Sequence, residues 1–415
     1  MGSGETAPTM TKPHRTIFER LESPVDAVML DTPFGFQENA DDLVEKSLEY
    51  FEKSVGHMVD AAGLRRSDGD PLVVETALAK IRTADWLFAG PGSPTYALRQ
   101  WVDSPVPAAF AEKLQTGGAV VFSSAAALTI GLRTVPVYEV YKVGMDPFWL
   151  EGLDLLSAFG LPVTVIPHYD NNEGGNHDTR MCYLGETRLQ MIEGDLPEDS
   201  FILGIDEHTG VVLDLDADTA EIFGKGVLTL RMKGESVTIP AGVTVSIDVL
   251  RAAGRDGLTT PTAAPAVTTT EVVADTASAP AGATLLDDVR SAEAAFDAAL
   301  ERRDADGAVT AVLSIDDAIE RWSSDTTQTD HGDQARAARR TMVVRLGAAA
   351  KGGVKDPREI VGPVVGAVLE LRKVVRDEKR YDLSDVIRDE LARAEVEVRD
   401  TPEGVEWVLG DRWNG

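Results

Sequence analysis

Short apolar runs separated by amphipathic stretches mark the first 250 residues. VDAVMLDT (25–32) reads as a buried strand, and NADDLVEKSLEYFEKSVGHMVDAAG (39–63) carries apolar residues at helical spacing. PLVVE (71–75) predicts a short strand, ALAKIRTA (77–84) a helix, and DWLFAG (85–90) a strand that stops at GPGSP. TYALRQWV and AFAEKLQTG then read as helices, before the strand AVVFSS. Further strands are expected at 162–167, 201–206, 210–215 and 226–232. Strands alternating with helices predict an α/β fold with a mostly parallel sheet flanked by helices. The closely spaced last strands predict an antiparallel edge.

The pattern breaks at 254–284, a Thr-, Ala- and Pro-rich stretch without an aromatic residue, which reads as a flexible linker. It divides the chain into an α/β domain (1–253) and a C-terminal domain (285–415). In the latter, 285–322, 333–350, 356–378 and 382–394 all carry apolar residues three to four apart, with Asp356 and Asp382 as expected N-caps. Residues 395–409 read as two strands around DTPEG, so a helical bundle with a small terminal β-hairpin is expected.

Composition narrows the function classes. The 415 residues have a formal charge of −29, which argues against generic binding to nucleic acid or anionic membranes but leaves room for a local basic patch. Cys182 is the single cysteine, so an intrachain disulfide and a Cys-based zinc cluster are excluded. No segment has the roughly 18 apolar residues that a membrane span needs. MGSGETAPTM has neither the basic nor the apolar part of a signal peptide, so a cytoplasmic protein is expected. GSGE looks like a Gly-rich loop that should follow a strand, yet only Met1 precedes it. Either the sheet lacks that strand or the natural start lies upstream; an expression scar would also give MGS.

The chemistry centres on VVFSSAAALTIG (120–131). Ser124 stands between a strand and a helix, where a nucleophile is lifted into the crevice at the carboxyl end of the sheet. The same turn aims the next N–H, that of Ala125, at a developing oxyanion, and Gly92 in GPGSP is the expected second donor. A serine needs a base, and the base needs an orienter. His168 lies just beyond a strand end in TVIPHYD, and Glu207 follows the next strand in GIDEHTG. A Ser at a strand end is also an ordinary structural feature. HYDNNEGGNHD (168–178) fits either a divalent-metal site or a plain surface loop; its spacing matches no known helix-borne ligand pair, and no metal is assigned.

GSGE, GPGSPTYALRQW, FSSAAA, PVYEVYKVG, GLDLL, PHYD and GIDEHTGVVLD, in this order, resemble the family S51 serine peptidases. These are the aspartyl dipeptidase (peptidase E) and cyanophycinase group, within the class I glutamine amidotransferase-like fold. The resemblance covers about residues 1–250 and implies hydrolysis of a small peptide or amide without a cofactor. It matches Ser124 to the nucleophile, His168 to the base and Glu207 to the acid, with Glu139 as a second choice of acid. Phe122 and Ala126 stand where the family's elbow has glycines, and Phe122 is expected to crowd the crevice. Amidotransferases of this fold use Cys at the elbow, whereas Cys182 lies elsewhere. The family's preference for Asp-containing ends implies a basic pocket, for which Arg133, Lys142 and Arg180 are the candidates; each also reads as a plain surface charge.

KRYDLSDVIRDELARAEVEVRDTPEGVEW (379–407) and FDAALERRDADGAVTAVLSIDDAIERW (296–322) resemble the C-terminal region of cysteinyl-tRNA synthetase, which contacts tRNA. The synthetase's HIGH and KMSKS signatures are absent and one Cys cannot build its zinc site, so the chain is not itself a synthetase. Arg336, Arg339, Arg340, Arg345, Arg372, Lys373, Arg376, Lys379 and Arg380 are candidate tRNA or RNA contacts, with Tyr381 and Trp407 as stacking residues. Interleaved acids fit a solvated bundle or a dimerisation module equally. Three readings stand: a serine hydrolase, a binding protein that kept the fold, and a tRNA-linked factor. Oligomerisation is left open.

Overall fold

The computed structural model describes residues 1–174, 176–258, 284–323, 331–352, 357–401 and 404–410. Among these, one compact unit takes in everything to residue 258 with 321–323, and a second takes in the remainder.

The first unit opens with helix α1 (Pro8–Glu19), which buries Met10, His14, Ile17 and Phe18 and which the hydrophobic pattern had not marked. Strand β1 (Ala27–Leu30) and helix α2 (Ala40–Tyr50) follow. The helical stretch expected to run to residue 63 stops earlier. A π-turn over Phe51–Val55 ends on left-handed Gly56, and β2 (Asp60–Ala61) then pairs with β1. The strand expected at 71–75 is instead the first turn of α3 (Pro71–Thr83). Asp70 caps it by accepting from the Leu72 N–H, Pro71 sits at the first helical position, and Leu72 and Val73 are exposed, so that apolar run is not core.

Next come β3 (Trp86–Ala89), α4 (Pro94–Trp101), α5 (Val106–Thr116), β4 (Ala119–Phe122), α6 (Ser124–Thr129), β5 (Arg133–Thr134), α7 (Val137–Tyr141), β6 (Leu150–Glu151), β7 (Val163–Ile166), α8 (Gly185–Glu193) and β8 (Phe201–Ile205). The unit closes with β9 (Thr209–Asp214), β10 (Thr219–Gly224), β11 (Val227–Met232), β12 (Glu235–Pro240), β13 (Thr244–Ser246) and α9 (Ile247–Asp256). The first sheet, in the order β2-β1-β3-β4, is wholly parallel. In a second sheet β7 and β8 are parallel, while β11 and β12 add the antiparallel edge. β9, β10 and β13 form an antiparallel sheet of their own. Apolar side chains of β1, β3, β7 and β8 are buried, as expected for strands covered on both faces, and in β4 Val121 and Phe122 are buried while Ala119 and Val120 are half-buried. The fold is therefore mixed α/β with helices flanking a parallel sheet.

Of the expected linker, 259–283 lies outside the described residues; at its start, α9 continues to Asp256. The second unit contains α10 (Leu285–Glu301), α11 (Ala305–Arg321) except its last residue, α12 (His331–Gly352), α13 (Pro357–Asp377) and α14 (Tyr381–Arg393), then the hairpin β14 (Val396–Thr401) and β15 (Gly404–Leu409). Thr284 and Asp287 form a reciprocal capping box at the start of α10. Asp382 does not cap α14: it lies inside the first turn, where Arg380 engages its carboxylate at 3.2 Å. Asp356 lies outside the described residues. Buried Arg372 grips Asp400 of the hairpin with two bonds of 2.7 and 2.8 Å, which holds that carboxyl far below the usual range. Among the described residues no helix is long and apolar enough to cross a membrane.

Candidate active site

The carboxyl end of β4 meets α6 at Ser124, which has a left-handed φ of 49°. That conformation costs a non-glycine residue on the order of 1 kcal/mol or more and persists only where its surroundings enforce it. The Ser123 N–H donates to the Ala89 carbonyl at 2.9 Å, and the Ala126 N–H to the Gly90 carbonyl at 3.1 Å. Ala125, Ala126 and Ala127 are buried, so small side chains let α6 sit close beneath the turn.

Ser124 Oγ lies 2.9 Å from His168 Nε2, and His168 Nδ1 lies 2.8 Å from Glu207 Oε1. His168 follows β7 with φ 48°; its carbonyl accepts from the Cys182 N–H. Glu207 follows β8, where its own N–H donates to Asp170 Oδ1 at 2.7 Å. Burial pushes the Glu207 carboxyl up, but the hydrogen bond and charge of His168 outweigh this, and the carboxyl lies below its usual value. Asn171 adds to that pull: fully buried, it donates from Nδ2 to the same Oε1 at 3.1 Å. Asp170 and Asn171 lie in HYDNNEGGNHD, the stretch that reads as a metal site or a plain loop, and nothing local in it marks either residue as a partner of Glu207.

Above Ser124 opens a cavity of about 260 Å³, lined by Gly92, Ala125, His168, Lys142, Glu173 and three tyrosines, 138, 141 and 183, among others. Gly92 has φ 140°, and a Cβ there would stand 2.1 Å from the Pro33 carbonyl oxygen, so glycine is required. No main-chain acceptor takes the Gly92 or Ala125 N–H among the described residues. Tyr183 donates to Glu173 at 2.7 Å, and burial raises the Glu173 carboxyl. Buried Cys182 also lines the cavity, its thiol pushed up by burial.

Several expected residues fall elsewhere. Phe122 does not enter the crevice; its ring packs edge-on against Phe110 in the core. Glu139 accepts from Thr95 Oγ1 at 3.0 Å, while the acid on His168 is Glu207. Arg133 pairs with Glu151, and Arg180 clasps Asp178 at 2.8–2.9 Å; neither lines the cavity, because an adjacent carboxylate claims each guanidinium. Of the three proposed cations, Lys142 alone reaches it, with its ammonium 4.8 Å from the centre of the Tyr141 ring. His177 of the candidate metal loop stacks on Tyr141, and among the described residues no three His, Cys, Asp or Glu side chains converge as a metal would need.

Such an arrangement can carry a proton from a hydroxyl to an imidazole braced by a carboxylate, beside free N–H groups suited to an oxyanion.

No family model matches the chain. Its N-terminal part is similar to a peptidase from an acI-B1 Actinobacterium, at 19% identity and a TM-score of 0.48, over 59% of this chain and 94% of that one. A candidate peptidase E protein from Listeria monocytogenes EGD-e gives 14% identity and a TM-score of 0.32, over 58% and 96%. Short stretches match cysteine–tRNA ligases: 50% identity over 40 residues in Petrotoga mobilis (10% of this chain, 8% of the ligase) and 45% over 49 residues in Carboxydothermus hydrogenoformans (12% and 10%). The chain thus spans about a tenth of the length of the curated relatives it matches.

Proposed function

We propose that the first unit is a serine hydrolase that cleaves a small peptide or amide in a cytoplasmic setting without a cofactor. The observation that carries this reading is the relay Ser124–His168–Glu207, with links of 2.9 and 2.8 Å. Ser124 Oγ attacks the scissile carbonyl as His168 Nε2 takes its proton. The oxyanion that forms accepts hydrogen bonds from the Gly92 and Ala125 N–H groups. As the carbonyl re-forms, the C–N bond breaks and His168 returns the proton to the leaving amine. Water, deprotonated by His168, then attacks the acyl-serine; the acyl C–Oγ bond breaks, the acid product leaves and His168 returns the proton to Ser124 Oγ. Glu207 fixes the imidazole tautomer and offsets its charge while His168 is protonated. Lys142, which lines the cavity, is the cation assigned in this reading to a substrate carboxylate. Incubation of short peptides and amides with wild type and Ser124→Ala tests the reading. Turnover by wild type alone supports it; equal turnover by both, or by neither, contradicts it.

A second reading concerns the second unit, as a tRNA contact, and is favoured by the matches to cysteine–tRNA ligases. Six of the nine candidate cations are paired: Arg336 with Asp333, Arg339 with Asp316, Arg345 with Asp297, Arg372 and Arg376 with Asp400, and Arg380 with Asp382. Exposed Arg340, Lys373 and Lys379 are the remaining cations for phosphate. A gel shift of tRNA by the full chain at low salt, lost when these three become Ala, is the expected result; no shift at low salt removes the reading.

A further inference from the structure

Behind the elbow sits a carboxylate that the relay does not use. Glu5 is fully buried, and its Oε2 accepts a hydrogen bond of 2.7 Å from Ser123 Oγ, which is also fully buried. The Glu5 main-chain carbonyl accepts from His14 Nε2 at 2.8 Å, and His14 is itself buried among Phe51, Trp86 and Phe88. Taking a carboxylate out of water costs several kcal/mol unless it is well paired, so a site that needed only filling would be served better by an apolar residue.

What Glu5 holds is the residue at which strand turns into elbow. A Ser at the N-cap of a helix ordinarily turns its oxygen to accept from the first helical N–H groups. Ser123 makes no such bond; its hydroxyl donates away from α6, to Glu5. Its N–H is meanwhile fixed to the Ala89 carbonyl, so the residue is pinned from both sides immediately before the left-handed Ser124.

We propose that Glu5 is a positioning residue for the nucleophile. Its carboxylate clamps Ser123, so that Ser124 keeps its strained φ and presents Oγ to His168 Nε2. The inference rests on the serine-hydrolase reading above. It makes the loop GSGE part of the working site through Ser123, with no contact between Glu5 and substrate.

The test is the rate of covalent labelling by a fluorophosphonate, followed against probe concentration so that the maximal rate and the half-saturating concentration separate, with a melting temperature for each protein. Glu5→Ala and Ser123→Ala each slow the maximal rate at least about tenfold, because a misplaced nucleophile loses rate rather than binding. The half-saturating concentration stays within about twofold of wild type. Glu5→Gln, whose amide oxygen can still accept from Ser123, stays within about threefold, and the double variant is no slower than the slower single one. A role in stability alone lowers melting without changing the maximal rate of the folded protein. Folded Glu5→Ala and Ser123→Ala that label at the wild-type rate overturn the inference; if Glu5→Ala does not fold, Ser123→Ala decides. A wild type that does not label at all instead overturns the hydrolase reading on which the inference stands.

Discussion

The ring of Phe122 stands edge-on to Phe110, with centroids 5.2 Å apart and planes at 82°. Alternation along a strand would put Phe122 on the side of Ser124, two residues on. The left-handed turn at Ser124 breaks that alternation, so the ring enters the core beneath α5 while the hydroxyl turns toward His168. The bulky residue in the elbow thus leaves the cavity open.

Phe122→Ala should therefore cost stability rather than restore room. Loss of a buried Phe typically costs about 3–5 kcal/mol, to be read from denaturant unfolding. Fluorophosphonate labelling of the folded variant should stay within about threefold of wild type, since the transition-state contacts remain.

Glu207 and Asn171 should differ in weight. Glu207→Gln removes the charge that steadies the imidazolium and lets the wrong tautomer form, and hydrolysis should fall on the order of 10²–10⁴-fold. Asn171→Ala leaves the carboxylate on His168 and removes only the bond behind it, so a loss of about tenfold is expected. Parallel hydrolysis or labelling rates for the two variants check this ranking.

The relay was legible because its three members sit at strand ends, where apolar runs stop and the fold brings successive carboxyl edges together. Ser124, His168 and Glu207 stand at such ends in chain order, an order that a structural serine also fits. The substrate cations were not legible in the same way. Arg133 and Arg180 lie near the site in sequence, but Glu151 and Asp178 take their charge, and pairing of this kind follows from loop geometry. Asn171 and Glu5 act through burial and through partners 36 and 118 residues away, which no local pattern encodes. PLVVE misled for a simpler reason: Asp70 and Pro71 make a helix start that outweighs its β-branched composition.

Stability should carry a signature of Asp206. Burial, then the charge of Asp170, raises its carboxyl to about 6. The folded state therefore binds this proton more tightly than the unfolded chain, whose value is 3.8. Its favourable contribution is complete below that value and is lost as pH rises through about 6. Asp206→Asn, which can keep an oxygen on the Val227 N–H, should gain on wild type by about 2 kcal/mol between pH 4 and 7. Denaturant unfolding at several pH values measures the difference; a flat difference contradicts the assignment.

With Ser124 as the nucleophile, intact-protein mass spectrometry after fluorophosphonate treatment reads the reaction at a single side chain. One adduct per chain is predicted, mapping to Ser124, absent in Ser124→Ala and strongly slowed in His168→Ala. An adduct that survives in Ser124→Ala, or a wild type that takes up none, would contradict that role for Ser124.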